Sequence, residues 1–297
     1  MLIDTHAHIN FNAYKDDADE VIRRSLDNNT WMINVGSQYE TSKRAMEIAQ
    51  KYEKGVYASV GLHPIHLSTD LVKIKNDTEE IILKTKEEES KSINSFSPSF
   101  LYSKNSVFDY DKYKELAQNP KVVAIGEVGL DYYWRPKTTK KKELFKKGQK
   151  DLLLKQLELA KELNLPVIFH CRMAHKDLIQ FLKENGEARP PAAAAHGFVG
   201  SVEELKEYLN FGYYIGFNGI IFKKIEGIDF EENIKYIPLD RILIETDCPY
   251  LTPFPMTGRN QPIYVRYVVE KIAEIKKIDC QKIAEITTQN AKDLFKV

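Results

Sequence analysis

Two histidines two residues apart open the chain, in His6-Ala7-His8 at the end of the apolar run Leu2-Ile3-Asp4-Thr5. On a strand, residues i and i+2 point to the same face. Two imidazoles on one side of a strand end can chelate one divalent cation, as neutral imidazole commonly does. Such a pair is equally compatible with two polar residues in a turn. The pattern then recurs. Glu127 sits in VVAIGEVGLDYY, His170 closes VIFHC, His196 closes AAAAH, and Asp247 closes RILIETD. A carboxylate buried without a partner is costly, so Glu127 inside such a strand needs a cation or strong donors. Each of these residues alone reads as a satisfied core group. Five separate strands ending this way read as a site.

The donors His6, His8, Glu127, His170, His196 and Asp247 sum to four imidazoles and two carboxylates. That exceeds the needs of one tetrahedral zinc and suits two adjacent cations bridged by a carboxylate or a water. The softness of the set suits Zn or Mn.

Such a site needs strand ends that converge, and the rest of the sequence supplies them. Apolar, β-branched runs over residues 2–8, 31–36, 56–62, 122–130, 167–171, 192–196, 213–217 and 241–246 are the expected strands, the sixth being weak. Amphipathic segments over 16–28, 39–54, 142–164, 176–184 and 201–211 lie between them, and two more, 263–277 and 279–296, follow the last strand. Eight alternating units in about 300 residues predict a single-domain α/β chain, a (β/α)8 barrel of the TIM type, spanning 1–297. In that architecture all strand carboxyl ends open on one face. Ser201-Val-Glu-Glu and Asp279 before Cys280 read as helix caps. The stretch 73–112, rich in Lys, Glu, Ser and Asn, interrupts the link between the third and fourth strands and reads as a surface insertion.

Composition narrows the function classes. The chain has 297 residues, with Lys plus Arg and Asp plus Glu both 43, so the net charge is zero. Proteins that coat nucleic acid carry a basic excess, so any polyanion must be held locally. Three cysteines, Cys171, Cys248 and Cys280, are too few and odd in number for a disulfide framework. Cys171 and Cys248 read as small packing residues. No stretch approaches a membrane span of about 20 apolar residues, and the first residues read as a strand rather than a secretory signal. The expectation is a cytoplasmic or nuclear monomer that needs no protein partner.

Taken together, DTHAHIN, GLHP, GEVGLDYY, HCRMAHKDLI, HGFVGS, ETDCPYL and RNQP resemble the TatD family of metal-dependent deoxyribonucleases, within the amidohydrolase-like metallohydrolases. The resemblance runs in order from residue 2 to about residue 290, apart from the insertion. It implies that His6, His8 and Asp247 hold one cation, His170 and His196 the other, and Glu127 bridges them. Related amidohydrolases often bridge with a carbamylated lysine, and Glu127 fits the nuclease-like branch better. The family's activity is linked to Mg, so the cofactor expectation is two divalent cations, Mg, Zn or Mn.

The implied reaction is phosphodiester hydrolysis in DNA, trimming single strands or ends. Asp247 serves as ligand and general base, and Glu127 belongs to the catalytic group. His63, in Gly61-Leu-His-Pro, donates to the scissile phosphate or the leaving oxygen. Arg172 can pair with a phosphate through its planar fork. Arg259 and Asn260 lie in the loop after the eighth strand as substrate contacts, and Tyr132 and Tyr133 offer rings for a base or for packing over the mouth. His66 and His175 read as exposed. The run from Lys137 to Lys150 carries seven lysines, either a solvated helix face or a guide for a nucleic-acid backbone. Two other readings compete: an amidase, lactonase or phosphotriesterase with the same metals, and a metal-retaining binding protein without activity.

Overall fold

The computed structural model describes residues 1–67, 108–133 and 136–297. Eight parallel strands form one sheet in sequence order. They are β1 (Leu2–Ala7), β2 (Thr30–Val35), β3 (Val56–Val60), β4 (Val122–Asp131), β5 (Val167–Arg172), β6 (Ala193–Ala195), β7 (Tyr214–Phe217) and β8 (Ile242–Ile244). Helices separate them: α1 (Ala18–Asp27), α2 (Tyr39–Gln50), α3 (Tyr110–Ala117), α4 (Thr139–Leu163), α5 (His175–Glu184), α6 (Val202–Asn210) and α7 (Phe230–Tyr236). Two more, α8 (Val265–Lys276) and α9 (Cys280–Phe295), follow β8.

All eight strands coincide with expected runs, and the barrel is as expected. Two helices are additions. The segment forming α7 has seven residues, too few to display a helical period. The other, α3, starts at Tyr110 inside the stretch assigned to the insertion, so the scaffold resumes before residue 112. Residues 73–107 of that expected insertion lie outside the described residues. Both expected caps form. Ser201 and Glu204 make a reciprocal capping box, and the Asp279 carboxylate accepts from the amides of Gln281 and Lys282.

The seam between β8 and β1 closes through residues at the end of β1 and just beyond β8. The Asp247 amide donates to the His6 carbonyl at 2.8 Å, and the His8 amide to the Cys248 carbonyl at 2.9 Å. Below them, the buried Asp4 carboxylate takes the Thr246 amide at 2.9 Å and the Thr246 hydroxyl at 2.5 Å. Asp247 itself has φ 56°, a left-handed conformation that Asp tolerates better than most residues.

Inside the barrel, side-chain alternation gives each strand face two zones. Ile168 and Ala194 lie two residues before His170 and His196, and both belong to an apolar cluster with Ile3, Ile33, Val35, Ala124 and Leu243. The lower end of this cluster is filled by Ala291, Leu294 and Phe295 of α9. That helix is tied across the strand starts: Thr288 donates to the Met1 carbonyl, and Asn290 to the carbonyls of Leu239 and Ile242. An apolar floor thus lies under a polar rim.

At the upper end, α4 reaches in with two buried glutamines seven residues apart, hence on one helix face. Gln156 bonds the Leu62 amide and carbonyl at 2.7 and 3.0 Å. Gln149 bonds the Asp131 amide and carbonyl, both at 2.9 Å. These bonds replace the ladder where β3 and β4 run out, and so fix the chain just before His63 and just after Glu127.

Because Leu294 is almost fully buried in the floor, Leu294→Ala should lower unfolding free energy by about 2–5 kcal/mol, the usual cost of a leucine-sized cavity. Urea denaturation measures this. A loss below about 1 kcal/mol would mean that α9 does not seal the barrel.

Candidate metal centre

Glu127 is brought into the barrel by an irregularity in β4. Pairing with β5 skips from Gly126 opposite Ile168 to Val128 opposite Phe169, leaving Glu127 as the extra residue of a bulge. Its amide bonds the Gly36 carbonyl instead, at 3.1 Å. Further up the same strand, Gly129 passes so close to β5 that a Cβ there would lie 2.0 Å from the His170 carbonyl oxygen, and its φ is +149°. Only glycine lets the two strands run this near.

The six expected donors converge around this carboxylate. Its Oε1 lies 2.6 Å from His170 Nδ1 and 2.5 Å from His196 Nε2. Its Oε2 lies 3.5 Å from His6 Nε2. Beyond His6, the Nε2 atoms of His6 and His8 are 3.2 Å apart, and Asp247 Oδ1 is 3.3 Å from His8 Nε2 and 3.8 Å from His6 Nε2. The rings of His6 and His196 stack with centroids 3.9 Å apart. Two donor groups therefore meet at opposite oxygens of one acid, and in each of the triplets His6–Glu127–His196 and His6–His8–Asp247 one ligand atom per residue lies within 4.8 Å of the others.

This arrangement fits metal ions. Imidazole nitrogens face each other at hydrogen-bond distance, which leaves lone pairs opposed unless a cation or proton lies between them. Two buried ring nitrogens, His6 Nδ1 and His196 Nδ1, find no hydrogen-bond partner among the described residues. The donor set combines imidazole with carboxylate, as divalent transition-metal sites do.

Electrostatics organise the protein alone in the same way. Burial would raise the Glu127 carboxyl, but His196, His63, His170 and His6 outweigh it and hold the group well below the usual carboxylate range. Burial likewise acts to lower His170, yet Glu127 and Asp131 prevail and push it up to about 9. His6, more deeply enclosed and next to His196, is pushed down to about 4. Asp247 is lowered because its bond to His8 and the charges of His6 and His196 overcome burial.

Around these donors opens a cleft of about 1270 Å³. His63 lines it, with Nε2 3.6 Å from Glu127 Oε1. Tyr133 and Arg172 form part of its rim, and the Arg172 guanidinium lies 3.7 Å over the Tyr133 ring. Tyr133 is 47% exposed, whereas Tyr132 is 5% exposed and packs under the Lys146 ammonium. Tyr132 therefore serves as wall rather than as an open stacking face.

Arg259 and Asn260 are not brought to the cleft. The Arg259 fork is engaged by Asp17 and the Ala13 carbonyl, over the Tyr14 ring. Asn260 is fully buried and ties the carbonyls of Thr246 and Tyr250 together. Both brace the loops beside the site. The expectation that His66 and His175 are exposed is corrected: both are buried. His175 bonds the Tyr208 hydroxyl at 2.9 Å and the Val199 carbonyl at 3.1 Å. Cys248 is fully buried and its thiol is pushed up to about 12 by burial, as suits a packing residue.

Three acids escaped sequence reasoning. Asp131 contacts His170 Nε2 at 3.2 Å. Glu245 accepts the Gly197 amide at 2.8 Å and lies 3.9 Å from His196 Nδ1. Space for Glu245 exists because Gly216 has no side chain: a Cβ there would sit 1.9 Å from its Oε1. The third, Asp4, stitches the seam. The available signal was position, since Asp131 closes the run begun at Val122 and Glu245, like Asp247, follows the apolar run of β8.

An eight-stranded parallel barrel with imidazoles and carboxylates gathered at its strand carboxyl ends defines a metal-dependent hydrolase. The sequence profile of the family described as TatD related DNase matches residues 3–296, and the chain belongs to that family. It is 40% identical over 300 residues to the uncharacterized metal-dependent hydrolase YabD of Bacillus subtilis strain 168, covering all of both chains. It is 29% identical to the 3'-5' ssDNA/RNA exonuclease TatD of Citrobacter koseri, covering 99% of this chain and 98% of the relative. Among solved structures it resembles YJJV, a TatD homolog from Escherichia coli K12, with TM-score 0.77 and 27% identity over 100% and 98% of the two chains. No helix among the described residues is long and apolar enough to cross a membrane.

The charge pattern sets a pH dependence. In the metal-stripped protein the raised His170 contributes stability that is fully present below about pH 6.5 and is lost as pH rises through about 9. The thermal midpoint of stripped protein should therefore fall from about pH 7 to about pH 10 more steeply than that of His170→Asn. Parallel curves would show that the imidazolium is not held by Glu127 and Asp131.

Proposed function

We propose that this protein is a nuclease that hydrolyses phosphodiester bonds at the ends of single-stranded DNA, using two divalent cations. The observation that carries the reading is the sharing of Glu127: one oxygen faces His170 and His196, the other faces His6, with His8 and Asp247 beyond it. His6, His8 and Asp247 would hold one cation and His170 and His196 the other, with Glu127 common to both. When bound, such a pair supplies Lewis-acid polarisation of a phosphate oxygen and lowers the pKa of a water between them. The name of the Citrobacter relative supports nucleic acid, and specifically single strands, as the substrate class.

The chain's own side chains take the remaining tasks. Asp247 lines the cleft and is held as a carboxylate, which supports it as the acceptor of the attacking water's proton. His63 is fixed in a defined tautomer. Its Nδ1 accepts the Ile65 amide at 3.0 Å, so the neutral ring carries its proton on Nε2, toward Glu127 and the cleft. It is thereby a hydrogen-bond donor to a phosphate or leaving oxygen rather than a ligand, and burial favours the neutral form. At the rim, Arg172 offers a planar fork for a phosphate, and Tyr133 a ring beside it for an unpaired base.

Incubation of metal-loaded protein with end-labelled single-stranded DNA should release nucleotides, and chelator should stop the release. Glu127→Ala should reduce the rate by more than about 100-fold, beyond the range typical of an outer partner of a metal ligand, while circular dichroism stays that of a folded barrel. Turnover of lactones, cyclic amides or phosphotriesters without nucleotide release would replace the phosphodiester reading. A wild-type rate in Glu127→Ala would remove the ligand assignment.

The lysine-rich run opens α4, where Lys140 and Lys141 are exposed and Lys146 lines the cleft. Changing Lys140, Lys141 and Lys142 to Gln should weaken single-strand binding and reduce its log–log salt slope by up to about 2, at about 0.7 for each phosphate no longer neutralised. An unchanged slope would leave the run as solvated helix surface.

A further inference from the structure

We infer that Asp131 is a positioning residue that fixes the tautomer of His170, leaving the inward nitrogen of that ring free to bind metal. The inference rests on the reading of His170 as a metal ligand.

The ring of His170 lies between two carboxylates. Its Nδ1 faces Glu127 Oε1 at 2.6 Å on the inner side, and its Nε2 faces Asp131 Oδ2 at 3.2 Å on the outer side. A neutral imidazole has one N–H and one lone pair. Asp131 accepts only, so it selects the form with the proton on Nε2 and the lone pair on Nδ1, pointing inward. The other oxygen of Asp131 is committed. It accepts the Tyr133 amide at 2.8 Å. The residue is 2% exposed, and both its backbone polar groups are held by Gln149. Asp131 therefore cannot swing away, and each of its oxygens has one N–H to satisfy.

His8 obeys the same rule through a different partner: its Nδ1 lies 2.9 Å from the Val35 carbonyl, which leaves Nε2 as the inward lone pair. His63 is the opposite case, with a donor behind it.

This geometry makes Asp131→Asn the more damaging change, although it is nearly isosteric. Asparagine has one oxygen. The Tyr133 amide cannot change its donor character, whereas the His170 ring can. The amide oxygen therefore turns to Tyr133, and the NH2 group faces Nε2. The ring answers by moving its proton to Nδ1, where it blocks the metal. Asp131→Ala removes the acceptor without imposing a donor, and water from the cleft can serve Nε2–H.

The test uses the full chain loaded with zinc. Metal content and affinity are measured by titration, and the protonated nitrogen of each histidine ring by 15N-edited NMR, the His170 signal being identified by its absence in His170→Asn. The expected result is a proton on Nε2 of His170 in the parent, a shift to Nδ1 in Asp131→Asn, and zinc binding at the second position weakened about 10–100-fold. Asp131→Ala should lose less. A merely structural role would reverse that order, with Asn mild and Ala severe. Parent-like tautomer and affinity in Asp131→Asn, or a milder effect of Asn than of Ala, would overturn the inference. Unchanged zinc content in His170→Asn would instead overturn the ligand reading on which it stands.

Discussion

A buried carboxylate placed among imidazoles governs this structure. Glu127 is 5% exposed, and burying such an acid alone would cost several kcal/mol. It is tolerable only because four histidines from β1, β5 and the segments after β3 and β6 face it. The dependence runs both ways. In the protein alone the histidines closest to it, His170 and His196, are held toward their charged forms by that same acid. Removing Glu127 takes from His170 and His196 the acid that holds them toward their charged forms, and removing a histidine leaves the buried acid with one partner fewer. The site is therefore a cooperative unit, not a set of independent donors, and the barrel must hold its members in place together.

The scaffold meets that demand by separating its faces. Apolar side chains fill the lower barrel and polar ones the rim, often on the same strand two residues apart, as in Ile168 and His170. The β4 bulge adds one residue at the point where Glu127 must turn inward. Above the last ladder bonds, buried side chains continue the ladder's work: Gln149, Gln156, Asn260 and Asp4 each satisfy backbone groups that would otherwise be orphaned. Several residues that look functional by type are in this way structural by partner.

That distinction explains what could be read from the chain. Strand positions were legible because buried parallel strands are continuous apolar runs, and even the three-residue β6 appeared as an alanine run before His196. The donors were legible because a polar group ending such a run is locally anomalous. Arg259 was misleading for the complementary reason. A loop arginine carries no local sign that Asp17, at the other end of the chain, will occupy its fork. Asp131 and Glu245 were harder still, since their meaning lies in which ring nitrogen they face, a property of side-chain direction rather than of spacing. For α3, the Lys- and Glu-rich composition of its surroundings masked a short helix that only tertiary packing stabilises.

The seam between β8 and β1 bears on how the protein comes to be made. His6 and Asp247 are joined there by a backbone bond, yet 240 residues of chain are synthesised between them. A nascent polypeptide emerging from the ribosome holds its first two imidazoles long before the last carboxylate exists. Any cation captured early would meet an incomplete cage, with water where the remaining ligands belong. Competence for chemistry thus arrives late and all at once, when the final strand docks and the barrel shuts, and a truncated translation product would be inert rather than partly active.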